Sequence, residues 1–139
     1  MSKRDDILDR LAEILTATSL APVERNLAVP PSGDDLPVLI LWDGADESDP
    51  PDGARGRRPL TRWRMAPIIG FHARSTNPET LRGELNAAYE AIRTGIKNDA
   101  ALLALTTQAH DLSISMTPLY QQDAPIAGLR LNLSIQYDL

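Results

Sequence analysis

Apolar residues recur at helical spacing in three parts of the chain. Between residues 3 and 17 they form one stripe that predicts an amphipathic helix: Ile7, Leu8, Leu11, Ile14 and Leu15. A second helix is expected to begin at Asn77-Pro78-Glu79, because a capping residue, a proline and an acid in this order are typical of a helix start. Asn98-Asp99 breaks that helix and can cap a short third one.

Strand patterns occupy most of the remaining chain. Residues 129–138 alternate strictly between apolar and polar side chains, and residues 111–120 alternate over a shorter stretch. Residues 38–42 form a short continuous apolar run, which favours a strand buried on both faces. Residues 23–29 and 62–75 are also expected to be strands, with a proline in the second at a bulge or an edge.

The elements therefore follow the order α-β-β-β-α-α-β-β. Strands in two blocks around a helical insert predict an α+β fold, in which a single mostly antiparallel β-sheet carries helices on one face. A chain of 139 residues fits one domain, so we expect a single unit over residues 1–139.

The segment 43–64 carries an unusual distribution of charge. Its acidic limb, residues 43–53, contains five acids and no base: Asp43, Asp46, Glu47, Asp49 and Asp52. Its basic limb, residues 54–64, contains five arginines and no acid: Arg55, Arg57, Arg58, Arg62 and Arg64. Prolines and glycines interrupt the middle, so the segment is expected to be a long loop or a two-stranded arm.

Composition excludes several classes of chemistry. The chain has no cysteine, which excludes disulfides, a thiolate nucleophile and cysteine-ligated metals. The net charge of −5 disfavours general binding to nucleic acid or anionic membranes, and no apolar run is long enough to span a membrane. His72 and His110, the two histidines, lie too far apart for a helical zinc motif. No hydrolase or phosphate-binding motif is present, so we expect no catalytic, cofactor-binding or metal-binding residues and no enzyme activity.

The arginines of the basic limb allow three interpretations. They can contact another protein, together with Trp63, because tryptophan and arginine are enriched at interface hot spots. They can pair with the acids of the opposite limb. They can also bind phosphate groups of a nucleic acid, although the nearby acids oppose that use. Protein contact or pairing within the arm is the favoured interpretation.

The layout as a whole resembles that of the tail terminator proteins of long-tailed bacteriophages, prophages and gene transfer agents, also described as tail completion or minor tail protein U-like proteins. The resemblance lies in the order of elements and in short phrases spread over nearly the full chain. These phrases are Val23-Glu24-Arg25-Asn26, Leu36-Pro37-Val38-Leu39-Ile40-Leu41-Trp42-Asp43-Gly44, Met65-Ala66-Pro67-Ile68-Ile69-Gly70, Leu85-Asn86-Ala87-Ala88, Lys97-Asn98-Asp99 and Gly128-Leu129-Arg130-Leu131-Asn132-Leu133-Ser134-Ile135-Gln136-Tyr137.

The resemblance implies a structural role in the virion. Such proteins form a hexameric ring at the head-proximal end of the tail tube, stop its growth and present a surface to the head. The implied partners are further copies of the chain, the major tail tube protein and the head–tail connector or neck protein, with DNA only as passing cargo. The implied location is the virion tail, after synthesis in the bacterial host cytoplasm. A neck or head–tail connector protein is the alternative, since those proteins are similar in size.

A ring needs two different patches on each subunit, one meeting the other on the next copy. The expectation is that the arm at residues 43–64 supplies one of them. Its charged residues and Trp63 would then contact a neighbouring subunit or the tail tube.

Overall fold

The computed structural model describes residues 2–27, 36–48, 62–74, 77–106, 113–120 and 126–138. Within these ranges the chain forms three helices and seven strands. In chain order they are α1 (Lys3–Ala17), β1 (Val23–Arg25), β2 (Val38–Trp42), β3 (Asp46–Ser48), β4 (Arg62–Met65), β5 (Ile68–Arg74), α2 (Pro78–Lys97), α3 (Ala100–Leu105), β6 (Ser113–Tyr120) and β7 (Ile126–Asp138).

Each helix begins at a side chain that caps its first turn. The Ser2 hydroxyl accepts from the backbone N–H of Asp5, and the Asn77 side chain accepts from the N–H groups of Glu79 and Thr80. Asp99 caps α3 in the same way. These oxygens satisfy backbone donors that have no partner inside a helix. The helix starts expected from the sequence are therefore confirmed.

Strand β7 is the centre of the sheet. It pairs with β5 and β4 along one edge and with β6 along the other, in every case antiparallel. β4 and β5 pair with β7 in one continuous register. Arg62 lies opposite Asp138 at one end, and Arg74 lies opposite Ile126 at the other. Strand β4 thus continues the line of β5 after an interruption at Ala66 and Pro67. Outside this pair, β2 runs antiparallel to β5, β3 antiparallel to β4, and β1 parallel to β2.

The helices cover one face of the sheet and bury a continuous core. Leu11 and Leu15 of α1 and Ile92 and Ile96 of α2 are fully buried, as is Leu131 of β7. The alternation of β7 explains the arrangement, since every second side chain from Leu129 to Tyr137 faces this core. Burying a leucine or isoleucine side chain stabilises the fold by about 1.5–3 kcal/mol, so this face is its main source of stability.

The α+β class and the helices on one face of a mostly antiparallel sheet are confirmed. One strand beyond the predicted order, β3, arises within the segment 43–64, and the strand predicted over 62–75 is divided into β4 and β5. The expected strand over 62–75 is interrupted at Pro67, where a bulge or edge was predicted. Strand β1 ends at Arg25 because Asn26 adopts a left-handed conformation (φ 52°), and β7 begins at Ile126 rather than at residue 129.

Candidate interaction surface at the charged arm

The segment 43–64 begins and ends within the sheet, as the antiparallel strand pair β3 and β4. We call this pair the arm base; in it Glu47 lies opposite Arg64 and Ser48 lies opposite Trp63. Of the predicted contact residues, Asp49, Asp52, Arg55, Arg57 and Arg58 lie outside the described residues. The prediction of a long loop or a two-stranded arm over residues 43–64 therefore stays a prediction beyond this strand pair.

The turn from β2 into β3 requires a glycine. Gly44 has a positive φ of 72°, and a Cβ at this position would overlap the carbonyl oxygen of Ala66. The close approach is fixed by a hydrogen bond from the Ala66 N–H to the Ala45 carbonyl oxygen, 3.1 Å long. Three residues on one strand oppose two on the other here, which is the arrangement of a bulge that redirects the strand.

Asp43 is neutralised by an arginine from outside the arm. The Arg25 guanidinium lies 3.3 Å from the Asp43 carboxylate and 3.1 Å from that of Asp9 in α1. The backbone N–H of Asp43 donates to the Asn26 side-chain oxygen at 2.9 Å. The first acid of the acidic limb therefore connects β1, β2 and α1.

Asp46 is also held by residues from outside the arm. The same carboxylate oxygen, Oδ2, accepts from Arg4 Nε at 2.7 Å and from the Tyr137 hydroxyl at 2.9 Å. The other oxygen, Oδ1, is buried and has no hydrogen-bond partner among the described residues. Burial and the hydrogen bond to Asp46 raise the pKa of Tyr137 to about 12. The hydrogen bond to Asp46 also raises the pKa of Arg4, so both donors keep their protons.

The arginines of the arm base lie on the sheet face opposite the helices. Arg62 Nε donates to the Asp138 carboxylate at 3.1 Å, and an Arg64 Nη donates to Ser134 Oγ at 2.6 Å. Trp63 lies between them in sequence and therefore points to the other face, where it packs against the core. Its indole N–H is buried there and finds no partner in the part of the chain that the structure describes. The structure thus separates the two arginines from the tryptophan predicted to act with them.

Arg4 and Tyr137 were not identified from the sequence as neighbours of the arm. They are separated from Asp46 by 42 and 91 residues. Arg4 belongs to a helix start, and Tyr137 fits the alternation of a strand. No local pattern marks either residue as a partner of the acidic limb.

A second group of polar and aromatic residues lies on the helix-free face. The ring of Trp42 lies beside Gly70, where a Cβ would approach it to 2.8 Å, and the guanidinium of Arg130 lies 5.9 Å from the ring centroid. His72 belongs to the same face, with Nδ1 buried and unpartnered. Burial, and secondly the charge of Arg130, lowers the pKa of His72. His110 lies outside the described residues.

Within the described ranges, no group of three or more histidine and acidic side chains has an arrangement that could hold a metal ion. None of the helices in those ranges is long and apolar enough to cross a membrane.

Comparison with solved structures gives two matches that span the chain. A chain of the virion of a native gene transfer agent particle superposes with a TM-score of 0.50 and 12% identity, covering 95% of this chain and 92% of that one. The gp17 protein of bacteriophage SPP1 superposes with a TM-score of 0.46 and 12% identity, covering 98% of this chain and 90% of that one. The first likeness shows a shared fold. No family model and no curated protein matches the sequence.

Proposed function

We propose that this chain is a structural protein of a phage-like virion, a tail terminator whose ring closes the head-proximal end of the tail tube. The observation that carries the proposal is the fold shared over 95% of the chain with a protein of a gene transfer agent virion. The sequence phrases that resemble the tail terminator family are spread over the same length. In this role six copies form the ring, the tube protein lies below it, and the head connector lies above it.

The charged segment 43–64 fits this role. A closed ring needs a heterologous interface, in which two different surfaces of the same chain meet. An arm built from a strand pair can reach a neighbouring subunit while the core remains intact. We propose the predicted arm residues as the contact set: Asp43, Asp46, Glu47, Asp49, Asp52, Arg55, Arg57, Arg58, Arg62, Trp63 and Arg64.

Contacts within the chain divide this set. Asp43, Asp46 and Arg62 form ion pairs with residues outside the arm, and Trp63 packs against the core. These residues position the arm base. Arg55, Arg57 and Arg58, which come from the sequence between the two base strands, are the proposed direct contacts.

Deletion of the gene in a particle-producing strain tests the proposal. Without a terminator, tubes continue to polymerise, so electron micrographs should contain tails of abnormal and variable length that are not joined to heads. A plasmid copy of the wild-type gene should restore uniform length. Tails of normal, uniform length that remain separate from heads would instead indicate the neck or connector role.

A further inference from the structure

An open groove separates the C-terminal halves of α1 and α2. Its volume is about 680 Å³. Small side chains form much of its wall, among them Ala17, Ala91 and Thr94. The helices approach closely at its floor, since a Cβ on Gly95 would lie 3.1 Å from Ile14. A groove of this size with short walls has room for long side chains from another molecule.

The rim of this α1–α2 groove is acidic. Glu13 and Glu90 extend from the two helices with 65% and 64% of their side chains exposed, and Glu90 lies 3.8 Å from the guanidinium of Arg93 on the same helix. Arg10 is the one cation among the residues that line the groove, against three carboxylates. Its guanidinium is already held by both Asp99 oxygens and by Glu13, so it neutralises the rim only in part.

The sequence that joins β3 to β4 carries the opposite charge. Two acids of the acidic limb, Asp43 and Asp46, are engaged by Arg25 and Arg4 from the body of the protein. Residues 49–61 have three arginines against two aspartates, a formal charge of +1, whereas the rest of the chain carries −6. The two limbs have equal and opposite formal charge, but the ion pairs of Asp43 and Asp46 with the body leave the arginines of residues 49–61 in excess over its acids.

The arm and the groove belong to different parts of the molecule. Arg4, which holds the arm base, stands at the start of α1, and the groove extends from Arg10 to Thr18. Along α1 the groove residues lie between about 9 Å (Arg10) and about 21 Å (Thr18) from Arg4. Two complementary surfaces at separate places are what a head-to-tail contact between identical subunits requires.

We infer that the α1–α2 groove of one copy receives Arg55, Arg57 and Arg58 from the arm of the neighbouring copy. This inference rests on the proposed ring and assigns its subunit contact. The guanidinium groups meet the exposed carboxylates of Glu13 and Glu90, and such pairs form directional, charge-assisted hydrogen bonds. The small residues of the groove wall leave space for the arginine side chains.

A charge exchange tests the contact with full-length protein. One variant carries Arg57→Glu and Arg58→Glu, and a second carries Glu13→Arg and Glu90→Arg. Each alone brings like charges together, so the yield of rings or terminated tails should fall at least about tenfold. Mixing or co-expressing the two should restore the yield, because each reversed arm then meets a reversed groove.

Glu24→Arg with Glu84→Arg is the matched control. It changes the net charge by the same amount as the groove variant, on exposed residues that do not line the groove. This control should assemble like the wild type. Equal losses in the control and the groove variant, or a mixture that fails to recover, would contradict the inference.

Cross-linking gives a second measurement that leaves every charge in place. The chain has no cysteine, so Ala54→Cys in one copy and Thr94→Cys in another provide single reactive thiols on the arm and in the groove. A short bis-maleimide should join these two variants, and Thr80→Cys, also on α2 but outside the groove, should not react with the arm. Rings that form without the arm–groove product overturn the inference while the proposed function stands. The product without rings supports the contact and counts against the proposed ring.

Discussion

Gly44 determines whether the chain can turn from β2 into β3. A side chain there meets two obstacles at once, the positive φ of 72° and the backbone of Ala66. Gly83, in contrast, lies in α2, where a Cβ would have no other atom within 4 Å. Replacing each of these glycines by alanine should therefore change the stability of the protein in opposite directions.

We expect Gly44→Ala to lower the free energy of unfolding by about 3 kcal/mol or more, because the overlap is with backbone and cannot be relieved by rotating a side chain. Gly83→Ala should raise it by about 0.5–1 kcal/mol, since alanine loses less conformational entropy than glycine in a helix. Urea unfolding of both variants measures the difference. A Gly44→Ala variant as stable as the wild type would contradict the geometry of the bulge.

Asp99 couples the helices through a single carboxylate. It accepts two hydrogen bonds from Arg10 of α1 and one from the Leu102 N–H at the start of α3, with 13% of its side chain exposed. The hydrogen bonds from Arg10 are the main reason that the pKa of Asp99 is lowered. The ionised form is therefore favoured in the folded protein.

Asp99→Asn retains a capping side chain and removes the charge that holds Arg10, so it should cost about 1–2 kcal/mol at neutral pH. A lowered folded-state pKa stabilises the protein above the ordinary aspartate pKa, and this contribution is lost as the pH falls through the folded-state value. The stability difference between wild type and variant should therefore shrink below about pH 4. Urea unfolding of the wild type and the variant across this pH range measures the difference. Arg93→Gln, at a partly exposed residue, is the control and should change the free energy of unfolding by under about 0.5 kcal/mol. A difference that persists unchanged in acid would exclude the charge as its source.

At the scale of elements, Asp46 joins three parts of the fold. Through Arg4 and Tyr137 it fastens the arm base to the start of α1 and to the end of β7. Neighbouring Glu47 is exposed and points to the opposite face of the sheet. Adjacent residues of β3 thus have different roles, since Asp46 anchors the strand and Glu47 faces away from that anchor.

Asp46→Ala should lower the free energy of unfolding by about 2–3 kcal/mol, because it leaves the Arg4 guanidinium and the Tyr137 hydroxyl without their shared acceptor. Glu47→Ala, the adjacent control, should change it by less than about 0.5 kcal/mol. Hydrogen exchange should also become faster in β3 and β4 of the Asp46 variant, since the arm base loses its anchor. Equal exchange in the two variants would mean that Asp46 does not hold the arm.

The sequence predicted the helices best and the interruptions of the strands least well. Capping side chains and the apolar stripe act within one or two turns, so they identify α1 and α2 directly. The break between β4 and β5 depends on the opposing strand, because Ala45 and Ala66 meet across the sheet. Pro67 predicted that the strand would be irregular there. Where the strand stops and resumes depends on its pairing with the opposing strand, which the local sequence does not show.

At the scale of the whole molecule, the fold buries one face of the sheet under the helices and leaves charged and polar side chains along part of the other. The chain's negative charge lies mainly outside residues 49–61, and the arm base pairs Asp43 and Asp46 with arginines of the body. In the proposed ring each copy would be held at two surfaces, so that even a weak contact becomes stable.

By itself the sequence determined the α+β class, the helix limits, the core stripes and the division of segment 43–64 into an acidic and a basic limb. These follow from periodicity and from residues that act on near neighbours. Only the tertiary structure decided which charges are neutralised, since the partners of Asp46 lie 42 and 91 residues away. It alone also brought Glu13 and Glu90 to one groove, because ion pairing and groove formation depend on distances between elements that local sequence does not encode.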